Sequence, residues 1–178
     1  TIRDLVKLCE KADLKAKIIP GIREILDGKV NLSGIREVSI EDLLGREAVH
    51  LETDLMQEWI GGKTVMVTGA GGSIGSELCR QIARMNPQNI LLVERAEPAL
   101  FAIGREMSSD FSDIQAQPIL CDVQDEARVL EVFERERPHI VFHAAAHKHV
   151  PLMETNPGEA IKNNVFGTMN VAQASDRF

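Results

Sequence analysis

Tyrosine is missing from this chain altogether, and with six phenylalanines and one tryptophan the aromatic share is 4%. No mechanism that needs a tyrosine acid or base can operate inside these residues. Cysteine is scarce: Cys9, Cys79 and Cys121 are widely spaced and contain no CxxC. They make neither a disulfide framework nor a zinc signature, which points to a reducing, cytoplasmic setting. No apolar run approaches the roughly 18 residues that a bilayer span requires. Thr1-Ile2-Arg3-Asp4 has neither an initiating Met nor the character of a signal peptide. Positive charge is in deficit: 20 Lys+Arg against 27 Asp+Glu leave a net charge of −7. That speaks against an extended nucleic-acid surface, which would need a basic stripe. Internal repeats and low-complexity tracts are absent too.

What is present is ordinary for a globular protein: 178 residues, 44% hydrophobic and 26% charged, enough for one medium domain or two small ones. The last residues, Ala174-Ser175-Asp176-Arg177-Phe178, stop after a helical pattern with no closing signal. Together with the start, this gives the expectation of a segment of a longer protein. The composition changes near residue 61. Before it, Leu5, Leu8 and Cys9 suggest a helix and Lys17-Ile18-Ile19 a short strand closed by Pro20-Gly21. Ile22, Ile25 and Leu26 share a helical face ended by Asp27-Gly28, and Ser39 to Leu44 reads as a further helix start. Leu55, Met56, Trp59 and Ile60 share one side of a helix that Gly61-Gly62 breaks. Residues 1–60 are therefore expected to form a small αβ appendage.

From Lys63 the rhythm is regular. Thr64–Val67, Ile90–Val93, Ile119–Cys121 and Ile140–Phe142 are short apolar strands. Helical patterns separate them, first with Ile74, Leu78, Ile82 and Met85 on one face, then around 97–107, 125–136 and 157–175. The last opens with Asn156 as N-cap and Pro157 at the first helical position. Strands alternating with helices at this spacing predict a doubly wound parallel α/β sheet of order 3-2-1-4 over residues 61–178.

Between the first strand and its helix lies Thr68-Gly69-Ala70-Gly71-Gly72-Ser73-Ile74-Gly75, in which Gly69, Gly72 and Gly75 make G-x-x-G-x-x-G. This is a spacing variant of the dinucleotide fingerprint. The first glycine allows the sharp turn, the second the approach of a pyrophosphate, the third close packing of helix on strand. The helix N-terminus offers N–H groups and partial positive charge to phosphates. Glycine loops are common, but strand, loop, helix and second strand in this order supply the confirming context. Nineteen residues after Gly75, Glu94 ends the second strand, where an acid accepts hydrogen bonds from an adenosine ribose and repels a 2′-phosphate, favouring NAD. Arg95 follows it and could hold that phosphate instead, so NADP stays open. Asp122-Val123 ends the third strand, where the carboxylate either reaches an adenine amino group or caps the next helix.

After the fourth strand comes His143-Ala144-Ala145-Ala146-His147-Lys148-His149. The three alanines lie beside the switch point of the sheet, where backbone can approach a flat nicotinamide ribose. Histidines at i, i+4 and i+6 off a strand end, with no matching carboxylate, are a poor zinc pattern, so no metal is expected. Lys148 and His149 read either as ligands for the diphosphate or sugar of a substrate or as solvated charges. In the last helix Ile161, Asn164, Val165, Thr168 and Val171 fall on one face. Asn164 is polar on a face that should be buried, so it either locks the helix to the fourth strand or positions a water.

TGAGGSIGSEL, LLVERAE, CDV, HAAAHKHVPLMETNP and AIKNNVFGT together resemble the extended short-chain dehydrogenase/reductase superfamily, and within it the bacterial polysaccharide-biosynthesis UDP-N-acetylglucosamine 4,6-dehydratases. The similarity spans residues 63–178. IIPGIREILDGKV and VSIEDLLGRE resemble the region that precedes this domain in the long, membrane-anchored members. The resemblance implies a Rossmann fold and a reaction in which a nicotinamide takes hydride from sugar C4, water leaves across C5 and C6, and hydride returns at C6. It places the pyrophosphate on Gly69, Gly72, Ser73, Ile74 and Gly75, the ribose on Glu94, the adenine on Asp122 and Val123, and the nicotinamide beside Ala144, Ala145 and Ala146. Lys148, His149 and Asn164 would line the floor of the site. The family's acid/base groups, a Thr/Ser-Asp/Met-Lys triplet and a later Tyr- or Met-x-x-x-Lys, follow the fifth strand, so no catalytic residue is expected within these residues. The resemblance also implies a nucleotide-sugar substrate, a homo-oligomer, and a full-length protein on the cytoplasmic face of a membrane. A nucleotide-sugar 4-epimerase and a non-enzymatic nucleotide-sensing module are the alternatives.

Overall fold

The computed structural model describes residues 53–178, together with Leu5, Cys9, Ala12, Leu14, Lys17, Ile18, Arg36 and Glu37. The chain divides into two compact units, Thr1–Leu51 and Glu52–Phe178. In the first, β1 (Lys17–Ile18) pairs antiparallel with β2 (Arg36–Glu37), and Leu5 and Cys9 are helical. The helices expected around 22–26 and 39–44 lie outside the described residues.

The second unit opens with α1 (Thr53–Ile60), a helix that the sequence pattern placed with the preceding segment. Ile60 is 3% exposed within the core of this unit, while Leu55 and Trp59, expected beside it on one apolar side, are exposed. Then follow β3 (Thr64–Thr68), α2 (Ser73–Ala83), β4 (Asn89–Glu94), α3 (Glu97–Asp110), β5 (Gln115–Leu120), α4 (Glu126–Glu136) and β6 (Ile140–His143). After β6 come α5 (Val150–Thr155), α6 (Pro157–Ala160), a π-helix (Ile161–Gly167) and α7 (Thr168–Arg177). The strands are parallel in the order β5-β4-β3-β6, the Rossmann order 3-2-1-4 that the spacing predicts.

Side chains alternate across a strand, so a sheet covered on both faces reads as a continuous apolar run. Val65, Val67, Ile90 and Leu92 pack on one face with Cys79 and Ile82 of α2 and Leu100, Ile103 and Met107 of α3. Met66, Leu91 and Val93 pack on the other with Val129, Val132 and Phe133 of α4 and Val171 and Ala174 of α7. β5 begins four residues earlier than its apolar run suggests, because an edge strand tolerates Gln115, Gln117 and Pro118.

Two helical faces differ from their sequence patterns. α2 buries Gly75, Cys79, Ile82 and Ala83, and Ile74 is exposed. In the last helical stretch Asn163, Gly167, Asn170, Val171 and Ala174 are buried, whereas Ile161 and Val165 are exposed. A regular 3.6-residue period would bury Ile161 and Val165; the π-helix inserts wider turns and rotates the face. Asn156 does stand at the N-cap of α6, but its amide donates to Leu152 O (2.9 Å) and Thr155 Oγ1 (3.0 Å) and caps nothing. Among the described residues no helix is long and apolar enough to cross a membrane.

Candidate functional site

The glycine loop leaves β3 through Gly69, whose φ of +67° is a left-handed conformation costly for other residues. A Cβ there would also lie 2.8 Å from the Ala144 carbonyl, so the loop is seated on the end of β6. At Gly75 a methyl group would overlap the Gly69 carbonyl oxygen, which is why the helix can start so close to the turn. Gly72 occupies the N-cap of α2 with no side chain to cap it, and Ser76 N is the first to bond into the helix, onto Gly72 O at 2.9 Å. The N–H groups ahead of it form a positive helix end with no acidic residue in the first turn. Gly71 belongs to the same construction, although the spacing did not single it out. Its Cβ would meet that of Ala99 at 2.6 Å, and its N–H donates to Glu94 Oε2 at 3.2 Å.

Two cavities adjoin along this loop. One, of about 280 Å³, is bounded by Gly69, Gly72, Glu94, Arg95, Asp122, Val123 and Ala144–Ala146. The other, of about 350 Å³, is bounded by Gly72, Ser73, Ile74, Ala144, Ala146, Lys148 and His149. Gly72, Ala144, Ala146 and His147 are common to both. The exposed Ile74 thus faces a cleft, not the core. Every expected binding residue borders this double cleft except Gly75, which shapes it from beneath, and Asn164.

Glu94 holds its own loop: Oε1 accepts from Arg95 N (2.9 Å) and Ala96 N (3.0 Å), and Oε2 from Gly71 N. Arg95 Nη1 lies 3.5 Å from Asp122 Oδ2, and Nη2 lies 3.3 Å from His147 Nε2. The two readings of Asp122 separate cleanly. Asp125, not Asp122, caps α4, accepting from Arg128 N at 3.0 Å. Asp122 Oδ1 takes Gln124 N at 3.0 Å and leaves its other oxygen toward Arg95 and the cavity.

Asn164 clamps a backbone: Oδ1 accepts from His147 N (2.8 Å) and Nδ2 donates to His147 O (2.9 Å). It locks the helix to the loop after β6, one of the two roles the sequence left open. Its neighbour Asn163, which sequence reasoning missed, is 4% exposed, borders the first cavity and donates to Ala145 O (3.4 Å) and Asn164 Oδ1 (2.9 Å). The doublet Asn163-Asn164 was the available signal; two adjacent amides on a helix rarely both face solvent for no reason. His147 was also passed over, as one member of a histidine-rich loop. His143 Nδ1 lies 2.6 Å from Thr68 Oγ1, and burial pushes its pKa below the ordinary imidazole value. Burial drives the Cys79 thiol up to about 12 and Cys121 up to about 11, so neither is poised as a nucleophile.

Residues 65–178 match the family described as Polysaccharide biosynthesis protein. The chain belongs to that family. It is 43% identical to the capsular polysaccharide biosynthesis protein CapD of Staphylococcus aureus, over 98% of this chain and 29% of that protein. Against an inverting UDP-N-acetylglucosamine 4,6-dehydratase of Campylobacter jejuni the identity is 38%, over 64% of this chain and 32% of the relative. Among solved structures, Pen from Bacillus thuringiensis superposes with a TM-score of 0.58 at 31% identity, covering 66% of this chain and 34% of its own. The chain thus spans about a third of the length of these proteins.

Proposed function

We propose that residues 52–178 bind a nicotinamide dinucleotide and form the cofactor-binding part of a nucleotide-sugar 4,6-dehydratase acting on UDP-N-acetylglucosamine. The observation that carries the first half is the pair of adjoining cavities that share Gly72, beside the positive end of α2. A dinucleotide needs two compartments with a pyrophosphate between them, and this cleft has that form. The second half is supported by the identity to the Campylobacter jejuni dehydratase.

In this reading the N-terminal amides of α2 take the pyrophosphate. Glu94, already fixed by three backbone N–H groups, presents its carboxylate to the adenosine ribose. Asp122 and Val123 border the adenine, and Ala144–Ala146, lacking bulky side chains, let the nicotinamide ribose lie against the backbone. Lys148 and His149, at the mouth of the second cavity, meet the negatively charged substrate. The bound nicotinamide supplies the hydride acceptor and donor. The cleft offers no tyrosine for proton transfer, so these residues hold cofactor and substrate while acid/base groups come from the remainder of a chain as long as its relatives.

Calorimetric titration with NAD and NADP tests the cofactor claim; heats of binding are expected, stronger for NAD because Glu94 opposes a 2′-phosphate. No binding of either overturns it. Product analysis of the full-length protein tests the reaction. A 4-keto-6-deoxy sugar nucleotide is expected, and an epimer formed without loss of water would assign a 4-epimerase instead.

A further inference from the structure

A polar chain made of Thr68, His143, Thr168 and Asn164 runs behind the cleft, and the cofactor reading does not use it. His143 ends β6 with its ring between two hydroxyls: Nδ1 faces Thr68 Oγ1 at 2.6 Å, and Nε2 faces Thr168 Oγ1 at 3.0 Å. The Thr168 hydroxyl has one proton and donates it to the Asn164 carbonyl at 2.8 Å. Toward the imidazole it can only accept, so Nε2 carries the ring proton. Nδ1 then keeps its lone pair and accepts from Thr68, a residue 1% exposed whose hydroxyl has no other partner among the described residues. A second ring proton would meet that hydroxyl head on and force its O–H toward a buried wall with no acceptor. The elements packed against the ring, β3 and the last helix, face it with hydroxyls, and no charged side chain contributes to its titration, which burial alone displaces.

The chain does not end at Asn164. The same residue grips both backbone groups of His147, which borders both cavities. The stretch Ala144–Ala146 is therefore pinned at both ends by one turn of helix, through an imidazole at 143 and through an amide at 147.

We propose that His143 is a positioning residue: as a neutral imidazole protonated at Nε2 it holds the Ala144–His147 wall of the cleft, which it does not itself line, so ligand affinity depends on His143 staying unprotonated. The identity of the ligand rests on the proposed cofactor function; the dependence of the wall on His143 does not.

The test uses the full-length protein and two readouts. The first is NAD affinity by calorimetry at about pH 7.5 and about pH 5.5. Wild type should weaken as the competent, neutral form is depleted, by less than the roughly tenfold that an imidazole at the ordinary value would give, and H143Q should lose most of that pH dependence. The second is backbone amide exchange across 143–148. T168V, at an exposed position, should raise exchange there several-fold, and T168S should restore it. Undiminished pH dependence in H143Q would overturn the proposal, as would unchanged exchange in T168V. Should NAD not bind at any pH, the cofactor reading falls, while the exchange readout still decides the role of His143.

Discussion

At Gly75 the absent side chain is a packing requirement, since any Cβ would run into the Gly69 carbonyl. Gly75→Ala should therefore push α2 off the loop, costing about 1–3 kcal/mol by analogy with overpacked cores, read as a lower thermal midpoint with weakened dinucleotide binding. Gly158 is the control: a Cβ there meets nothing within 4 Å. Gly158→Ala should leave binding alone and stabilise by up to about 1 kcal/mol through the unfolded chain. Thiol chemistry gives a separate residue-scale expectation. With Cys79 raised to about 12 and Cys121 to about 11 by burial, both should resist maleimide at neutral pH and label only on unfolding. Rapid labelling of either in the native protein would contradict the buried placement.

At the scale of elements, the strands set the core and the last helix sets the cleft. Leu91 is fully buried on the central strand β4, so Leu91→Ala should cost about 2–5 kcal/mol in denaturant unfolding. The apolar runs of β3 and β4 were legible because both faces of the central strands are covered, and β6, though half-buried, was legible because Ile140 and Phe142 pack on one core and Val141 on the other. β5 was legible only at its end, where Ile119 enters the core; Gln115 and Gln117 lie on an edge, where pattern carries little information. The π-helix was not legible at all. It places Asn163 and Asn164 together against the loop after β6, a consequence of tertiary contact that no 3.6-residue period can anticipate.

For the whole molecule, His143 links stability to pH. Its pKa is lower folded than unfolded, so the folded form binds the proton less readily. The stabilisation is present above the ordinary value of 6.5 and is lost as pH falls through the lower folded value. Thermal midpoints should drop on acidification below about pH 6.5, and less so in H143Q. Association is a second whole-molecule property. Among the described residues β6 is an edge strand, and Val165, Phe166 and Met169 are exposed on the last helices. The 178-residue chain should self-associate in sedimentation experiments, more at high salt, where its net charge of −7 is screened. A mass independent of concentration and salt would refute this.

The sequence alone determined the sheet order and the place of the glycine loop, because both follow from local periodicity and from turns that only glycine makes. It also pointed to Glu94, Asp122 and the alanine stretch, since strand ends at a switch point are fixed by topology. Tertiary structure decided what those residues touch. Glu94 holds the glycine loop, Asp125 and not Asp122 caps α4, and Asn164 clamps His147. These are hydrogen bonds between groups up to 23 residues apart, as with Gly71 and Glu94, or 75 apart, as with Thr68 and His143. Such partners are chosen by which strand ends the fold brings side by side. The absent tyrosine sets the remaining limit: no phenolic acid or base serves the cleft, and behind it the fold sets the His143 ring between the hydroxyls of Thr68 and Thr168.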